Sequence, residues 1–177
     1  MTEGLDIVNY CHPSCIPLRN IMRLPRDEAF ALAHEMAAQN RETTAFYRFA
    51  DFDRYYPKRL ATDTLLRSRF IELGGRPVQR HPLSFVLQGS DYLDGWFGHG
   101  TVTRFPLDRI PAESISFTCG DSMAALERDG SLTMLTKAML LQAIAEFDGP
   151  LEAFLAEAAG RYHYIEAQVW DDACLGI

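Results

Sequence analysis

Tyr162-His163-Tyr164-Ile165-Glu166-Ala167-Gln168-Val169-Trp170 is the stretch that decides the fold class. Ile165, Ala167 and Val169 alternate with Tyr164, Glu166 and Gln168. A strand sends successive side chains to opposite faces, so the pattern predicts a strand with one face on a core. The polar face is either solvated, as antiparallel sheets often are, or the wall of a cleft. The large rings of Tyr162 and Trp170 bracket that face and favour the cleft.

Further β-prone runs lie at 6–10, 44–49, 84–88, 101–105 and 114–119. Helical patterns separate them. Pro25 opens a helix to Gln39, with Ala29, Phe30, Ala33, Met36 and Ala37 at helical spacing. Residues 51–59 predict a short helix ended near Pro57, and Thr62 reads as the N-cap of another carrying Leu65, Leu66, Phe70 and Leu73. Ser90 and Thr136 read as caps, a short helix is expected at 122–127, and Asp148-Gly149-Pro150 starts a last helix to Ala159. Strands interspersed with helices, without regular βαβ alternation, predict an α+β fold. Its sheet is expected to be mixed or mostly antiparallel, with about six short strands and flanking helices. A length of 177 residues suits a single globular domain, 1–177.

The chain is 47% hydrophobic and 23% charged, ordinary for a globular protein. No run reaches the ~18 apolar residues of a membrane span. The acidic N-terminus, Met1-Thr2-Glu3-Gly4-Leu5-Asp6, lacks the basic and apolar regions of a signal peptide. These features predict a cytoplasmic protein with no membrane partner and with reduced thiols at Cys11, Cys15, Cys119 and Cys174. Cys11-His12-Pro13-Ser14-Cys15 offers two thiolates and an imidazole, but zinc sites usually carry such a knuckle twice, so no metal is expected.

The net charge of −7 is unevenly spread. Residues 48–80 hold eight Lys and Arg against four acids, a net of +4. That distribution does not fit a protein that coats DNA. The basic segment fits either solvated helix faces or one local site for phosphate.

Four places could hold chemistry. Glu166 is a carboxylate in mid-strand between Tyr164 and Gln168. In Ser114-Ile115-Ser116-Phe117-Thr118-Cys119-Gly120-Asp121-Ser122, the hydroxyls of Ser114, Ser116 and Thr118 share a face and offer neutral donors and acceptors. His12 and Ser14 sit where the first strand gives way to a loop, and Arg80-His81 leads into a buried strand. Each also has a plain structural reading, as a solvated face, a helix cap or an ordinary loop. No Gly-rich phosphate loop, His-Glu-x-x-His helix or Gly-x-Ser-x-Gly elbow occurs.

Taken in order, these segments resemble the ADP-ribosyltransferase superfamily. The resemblance rests on a first strand ending in His12 and Ser14, an Ile-rich turn at 16–21 and a middle strand at 81–87. It continues through a Phe-Thr-x-Gly turn at 117–120 to a late strand bearing Glu166. It is most similar to the DarT-type enzymes, which modify DNA bases. The likeness covers about a third of the chain in short motifs. His12-Pro13-Ser14 stands where the family shows His-x-Thr, and Asp121-Ser122 replaces a usual second histidine.

The resemblance implies NAD as substrate and Glu166 as the catalytic residue. His12 and Ser14 would hold the ribose, Ser116 and Thr118 would line the pocket, and Arg80 and His81 would meet a phosphate or ribose. The acceptor would be a nucleic acid or a protein. The composition also fits a different class, a non-catalytic acidic module of the immunity or antitoxin kind that neutralises a basic partner. In that case Glu166 would lie on an open face among other acids.

Overall fold

The strands Asp6–Cys11 (β1), Leu83–Leu87 (β2), Thr101–Pro106 (β3), Ile115–Cys119 (β4), Met134–Thr136 (β5) and Ile165–Val169 (β6) form one sheet. Their order is β3-β1-β2-β6-β4-β5, and every neighbouring pair is antiparallel. This is a computed structural model describing residues 4–177. Met1, Thr2 and Glu3, part of the acidic N-terminus, lie outside the described residues.

The sheet has one weak junction. β1 pairs with β3 along its whole length, from Asp6↔Pro106 to Cys11↔Thr101. β1 meets β2 only at Ile7↔Leu87 and Val8↔Val86. Beyond that pair the side-chain amide of Asn9, rather than a backbone group, donates to the Ser84 carbonyl at 2.9 Å. Ser84 is exposed in mid-sheet, while Gln168, its partner on β6, is fully buried. The cover over the sheet is therefore open above the start of β2.

Alternation divides the sheet into two unlike faces. Ile7, Phe85, Phe117, Ile165, Ala167 and Val169 face one core, closed by Leu140 of helix Lys137–Glu146. Phe154 and Leu155 of helix Leu151–Tyr162 pack against the same core. Fully burying side chains of this size contributes about 1.5–3 kcal/mol each. The opposite face carries Ser116, Thr118, Glu166 and Gln168, in register as Ser116↔Gln168 and Thr118↔Glu166. Helix Phe52–Glu72 covers this face, with Leu66 and Phe70 packed against Trp170 and Met134. Helix Arg26–Gln39 backs it through Ala29 and Ala33 against Phe52. These helices and the others are, in chain order, α1 (Arg26–Gln39), α2 (Tyr47–Ala50), α3 (Phe52–Glu72), α4 (Asp91–Trp96), α5 (Ser122–Asp129), α6 (Lys137–Glu146) and α7 (Leu151–Tyr162). None is long and apolar enough to cross a membrane.

The α+β architecture with six short strands agrees with the sequence, although one strand is elsewhere. The run at 44–49 is not a strand. Thr43 caps a single turn there by accepting from Ala45 N, and α2 follows. Phe46, Phe49 and Phe52 recur every third residue, and their rings meet in series at 5.7 Å, the first pair tilted and the second edge to face. That spacing suits a helical face and outweighs β-propensity. The sixth strand is β5, three residues that run directly into the Thr136 cap of α6.

The two helices expected at 51–59 and after Thr62 are one, α3. Pro57 lies inside it and removes one backbone donor near its start, at an exposed position. Thr62 is not a cap: its hydroxyl donates back to the Lys58 carbonyl at 2.9 Å. Tyr162 ends α7 rather than opening the strand, and His163 turns the chain with φ +69°. The Tyr162 and Trp170 rings therefore do not bracket one face.

Candidate functional site

The polar face of β4 and β6 is neither solvated nor empty. Trp170 Nε1 donates to Ser116 Oγ at 2.9 Å, and Ser116 Oγ donates to Gln168 Oε1 at 2.8 Å. Gln168 Nε2 donates to Thr118 Oγ1 at 2.9 Å, and Thr118 Oγ1 donates to the Gly120 carbonyl at 3.3 Å. Ser116, Thr118 and Gln168 are at most 1% exposed. Buried polar groups are costly unless partnered, and this relay partners all of them. Ser116 and Thr118 are thus committed to holding β4 on β6, and do not line an open pocket as expected.

Glu166 continues the same row and differs in kind. Its Oε2 accepts from Ser122 N at 2.9 Å, at the first residue of α5. Gly120, in the turn before α5, passes close to the end of α7: its φ is +81°, and a Cβ there would meet the Tyr162 carbonyl oxygen at 2.8 Å. Glu166 is only 6% exposed, and burial pushes its carboxyl up to about 7, with the Asp121 carboxylate adding to the rise. The Arg59 guanidinium and the hydrogen bonds from Ser122 and Gln168 oppose that rise without cancelling it. A carboxyl that changes charge near neutrality suits acid–base work.

Two charged groupings flank Glu166. On one side Arg59 and Asp63 of α3 form a buried ion pair, and Asp63 Oδ2 lies 2.6 Å from His81 Nδ1. Burial alone would lower the Arg59 guanidinium, yet Asp63, with Tyr55 and Glu166 adding, outweighs it and keeps Arg59 charged. On the other side Arg48 Nη1 is 3.7 Å from Asp121 Oδ2, and the Arg48 guanidinium lies over the rings of Tyr47 and Tyr55. Burial, with the Asp121 and Glu166 carboxylates adding, raises the Tyr164 phenol. Burial likewise raises the Tyr55 phenol. Both rings therefore stay neutral donors beside an ionisable carboxyl.

The rim is aromatic. Tyr47 of α2 meets Trp96 of α4 edge to face at 5.9 Å, and Tyr92 stacks on His163 at 6.2 Å. α4 is anchored by Ser90, whose hydroxyl caps Leu93 N and whose N–H donates to the Tyr10 phenol at 2.8 Å.

The remaining expected residues fall in two other places. His12 follows the end of β1, four residues past Val8, which stands in line with Val86 and Glu166. Strand rise and spacing make that a separation on the order of 15 Å. His12 packs edge to face on Phe46 at 4.9 Å, and its Nδ1 accepts from Ser14 N at 3.1 Å. Ser14 Oγ donates to Asn40 Oδ1 at 2.8 Å, so its hydroxyl is engaged with the end of α1. Arg80 and His81 line a groove of about 270 Å³ with Leu60, Thr64, Arg67 and Ser68, and Glu166 is not among its lining residues. The structure therefore unites Glu166 with the β4 hydroxyls, but puts His12 and Ser14 at one end of the polar face and Arg80 on another flank.

Sequence reasoning offered Arg48 and Arg59 only as members of the basic segment 48–80, and passed over Tyr55, Asp63 and Asp121 as site residues. Arg59 and Asp63 carried a signal, since opposite charges four apart share a helix face. Reading a helix end at Pro57 hid that they belong to one long helix with an inward face. Among the described residues, no group of three or more His, Cys, Asp or Glu is arranged to hold a metal ion. Comparison with known proteins adds no relative: no family model, curated protein or solved structure matches the chain.

Proposed function

We propose that the protein is an NAD-dependent ADP-ribosyltransferase-like enzyme in which Glu166 is the catalytic carboxylate. The observation that carries this is the Glu166 carboxyl: buried, lifted to about 7, and set among Arg59, Asp121 and Tyr164. The reaction breaks the bond between ribose C1′ and the nicotinamide nitrogen, and nicotinamide leaves with the electron pair. Positive charge grows on the ribose as that bond lengthens. An ionised Glu166 stabilises this charge and accepts the proton of the incoming acceptor hydroxyl, amine or water. Its low exposure matters, because a charge in a water-poor site acts with less screening.

The surroundings supply the remaining roles. Arg48, already over two tyrosine rings, is a cation for the pyrophosphate. The exposed Ser84, paired with Gln168 beside Glu166, is the side from which the site is reached. His12, past the end of β1, lies at a distance from Glu166 comparable to an extended dinucleotide, and so serves the adenosine half rather than the reacting ribose. The acceptor is a nucleic acid or a protein, and water replaces it in the simplest assay.

Nicotinamide release from NAD tests this reading. Wild type is expected to release nicotinamide. Glu166→Gln keeps NAD affinity within about tenfold, because phosphate and ribose contacts remain. It lowers kcat by roughly 100- to 1,000-fold, the usual loss when a preorganised stabilising group is removed. Turnover undiminished in Glu166→Gln contradicts the assignment. Absence of binding at millimolar NAD contradicts the whole reading and favours the acidic partner-binding module.

A further inference from the structure

We propose that the groove on the outer flank of α3 is a phosphoryl-binding site, separate from the Glu166 site and organised around His81. Its walls are Leu60, Thr64, Arg67 and Ser68 on α3, and Arg80 with His81 on the loop before β2, around about 270 Å³. No carboxylate is among the lining residues.

Three features make this more than a basic patch. The first is His81. It is 9% exposed, and Asp63 Oδ2 at 2.6 Å fixes its Nδ1 as the donor. Asp63 is itself fully buried and held on its other oxygen by Arg59. The ring cannot turn without breaking its buried hydrogen bond to Asp63. Its Nε2 has no protein partner and is not sealed from solvent, so it is presented to the groove. There it accepts from a protonated phosphate oxygen, or donates to an ionised one when the ring is charged.

The second feature is Arg67. Its Nε donates to the Gln79 carbonyl at 3.3 Å and its Nη2 to the Pro77 carbonyl at 3.2 Å. Both partners are neutral, so the guanidinium is held in place while its charge is left uncompensated. The third is Arg80, which is exposed and makes no ion pair among the described residues. Two unpaired guanidiniums, one fixed and one free to close, with an imidazole at the base and the Thr64 and Ser68 hydroxyls beside them, match a tetrahedral oxyanion. Thr64 Oγ1 donates to the Leu60 carbonyl at 2.7 Å and so leaves its lone pairs as acceptors, which suits a protonated phosphate oxygen.

The shared chemistry is one phosphoryl group, either the end of a small phosphorylated molecule or a backbone phosphate of a nucleic acid. The test is a titration at constant ionic strength, followed by the imidazole nitrogen shifts of His81 and by calorimetry. One arm uses inorganic phosphate as the monoester stand-in, and the other a short single-stranded oligonucleotide with only internal diester phosphates. The expected result is a saturable His81 perturbation in at least one arm, with affinity reduced roughly tenfold in Arg80→Gln. Arg80 is exposed, so this variant leaves the fold intact. Saturation in the phosphate arm alone assigns a small phosphorylated ligand, and saturation by the oligonucleotide assigns nucleic acid. Unaltered His81 shifts in both arms at tens of millimolar phosphate overturn the proposal, as does binding unchanged in Arg80→Gln. Glu166→Gln separates the two sites: it should bind phosphate in the groove as wild type does, whatever it does to nicotinamide release.

Discussion

Replacing Glu166 with Gln should make the protein more stable above neutral pH, and the size of the gain follows from the carboxyl. Burial lifts it from the usual 4.5 to about 7. Between those values the unfolded chain has lost the proton while the folded protein still holds it. The stability this adds is full below the unfolded value and is lost as pH rises through about 7. At about 1.36 kcal/mol for each pH unit, the interval is worth on the order of 3 kcal/mol. A glutamine is neutral throughout, and its carbonyl oxygen can still accept from Ser122 N, which now reaches Oε2 at 2.9 Å. Urea unfolding of both proteins, followed by ellipticity from pH 4.5 to pH 8.5, reads the difference directly and cancels groups the two share. The unfolding free energy of the variant minus that of wild type should climb by about 3 kcal/mol between roughly pH 4.5 and 7.5 and then level off. A flat difference, or a variant less stable at pH 8, would refute the claim that the fold holds Glu166 against ionisation.

Three other substitutions probe the frame around it. Ser116→Ala removes the acceptor of Trp170 Nε1 and the donor to Gln168 Oε1, both fully buried, and should cost about 2–4 kcal/mol in chemical unfolding. Asp63→Asn leaves the Arg59 guanidinium without its buried counter-charge and should cost about 3–5 kcal/mol, seen as a lowered urea midpoint or failure to fold. Ile165→Ala opens a cavity on the apolar face and should cost about 2–4 kcal/mol, whereas an unchanged thermal midpoint would show that the face is not packed.

How much of this was legible depends on whether the signal was local. The alternation of 165–169 fixed which side chains face the core, and the pairing of β6 with both β2 and β4 made that one strand diagnostic. Caps at Ser90 and Thr136 were readable because the donor lies three residues on. The run at 44–49 misled because Phe46 and Phe49 are β-prone residues whose three-residue spacing to Phe52 is helical. β5 was too short to show a period. At the site, Glu166 and the Ser116 and Thr118 hydroxyls could be placed on one face from alternation, since register does the rest. That the hydroxyls are spent on Gln168 and Trp170 could not, because it depends on how closely α3 lies over the sheet. The company of Arg48, Asp121 and Tyr55 is equally non-local, joining α2, α3 and the turn after β4. His81 was noticed for its charge, but its role comes from Asp63, 18 positions earlier, which no local pattern links to it.

In the proposed reaction Glu166 is a carboxyl poised near neutrality to meet the positive charge that grows as nicotinamide leaves NAD. Its carboxyl carbon can be followed by ¹³C NMR across pH, with Glu166→Gln assigning the resonance, in the free protein and with saturating NAD. A midpoint near 7 is expected in the free protein. With NAD bound the midpoint should be lower, because the cationic nicotinamide ring favours the carboxylate. A free-protein midpoint at the usual 4.5, or one that NAD leaves unmoved, would contradict that role for Glu166.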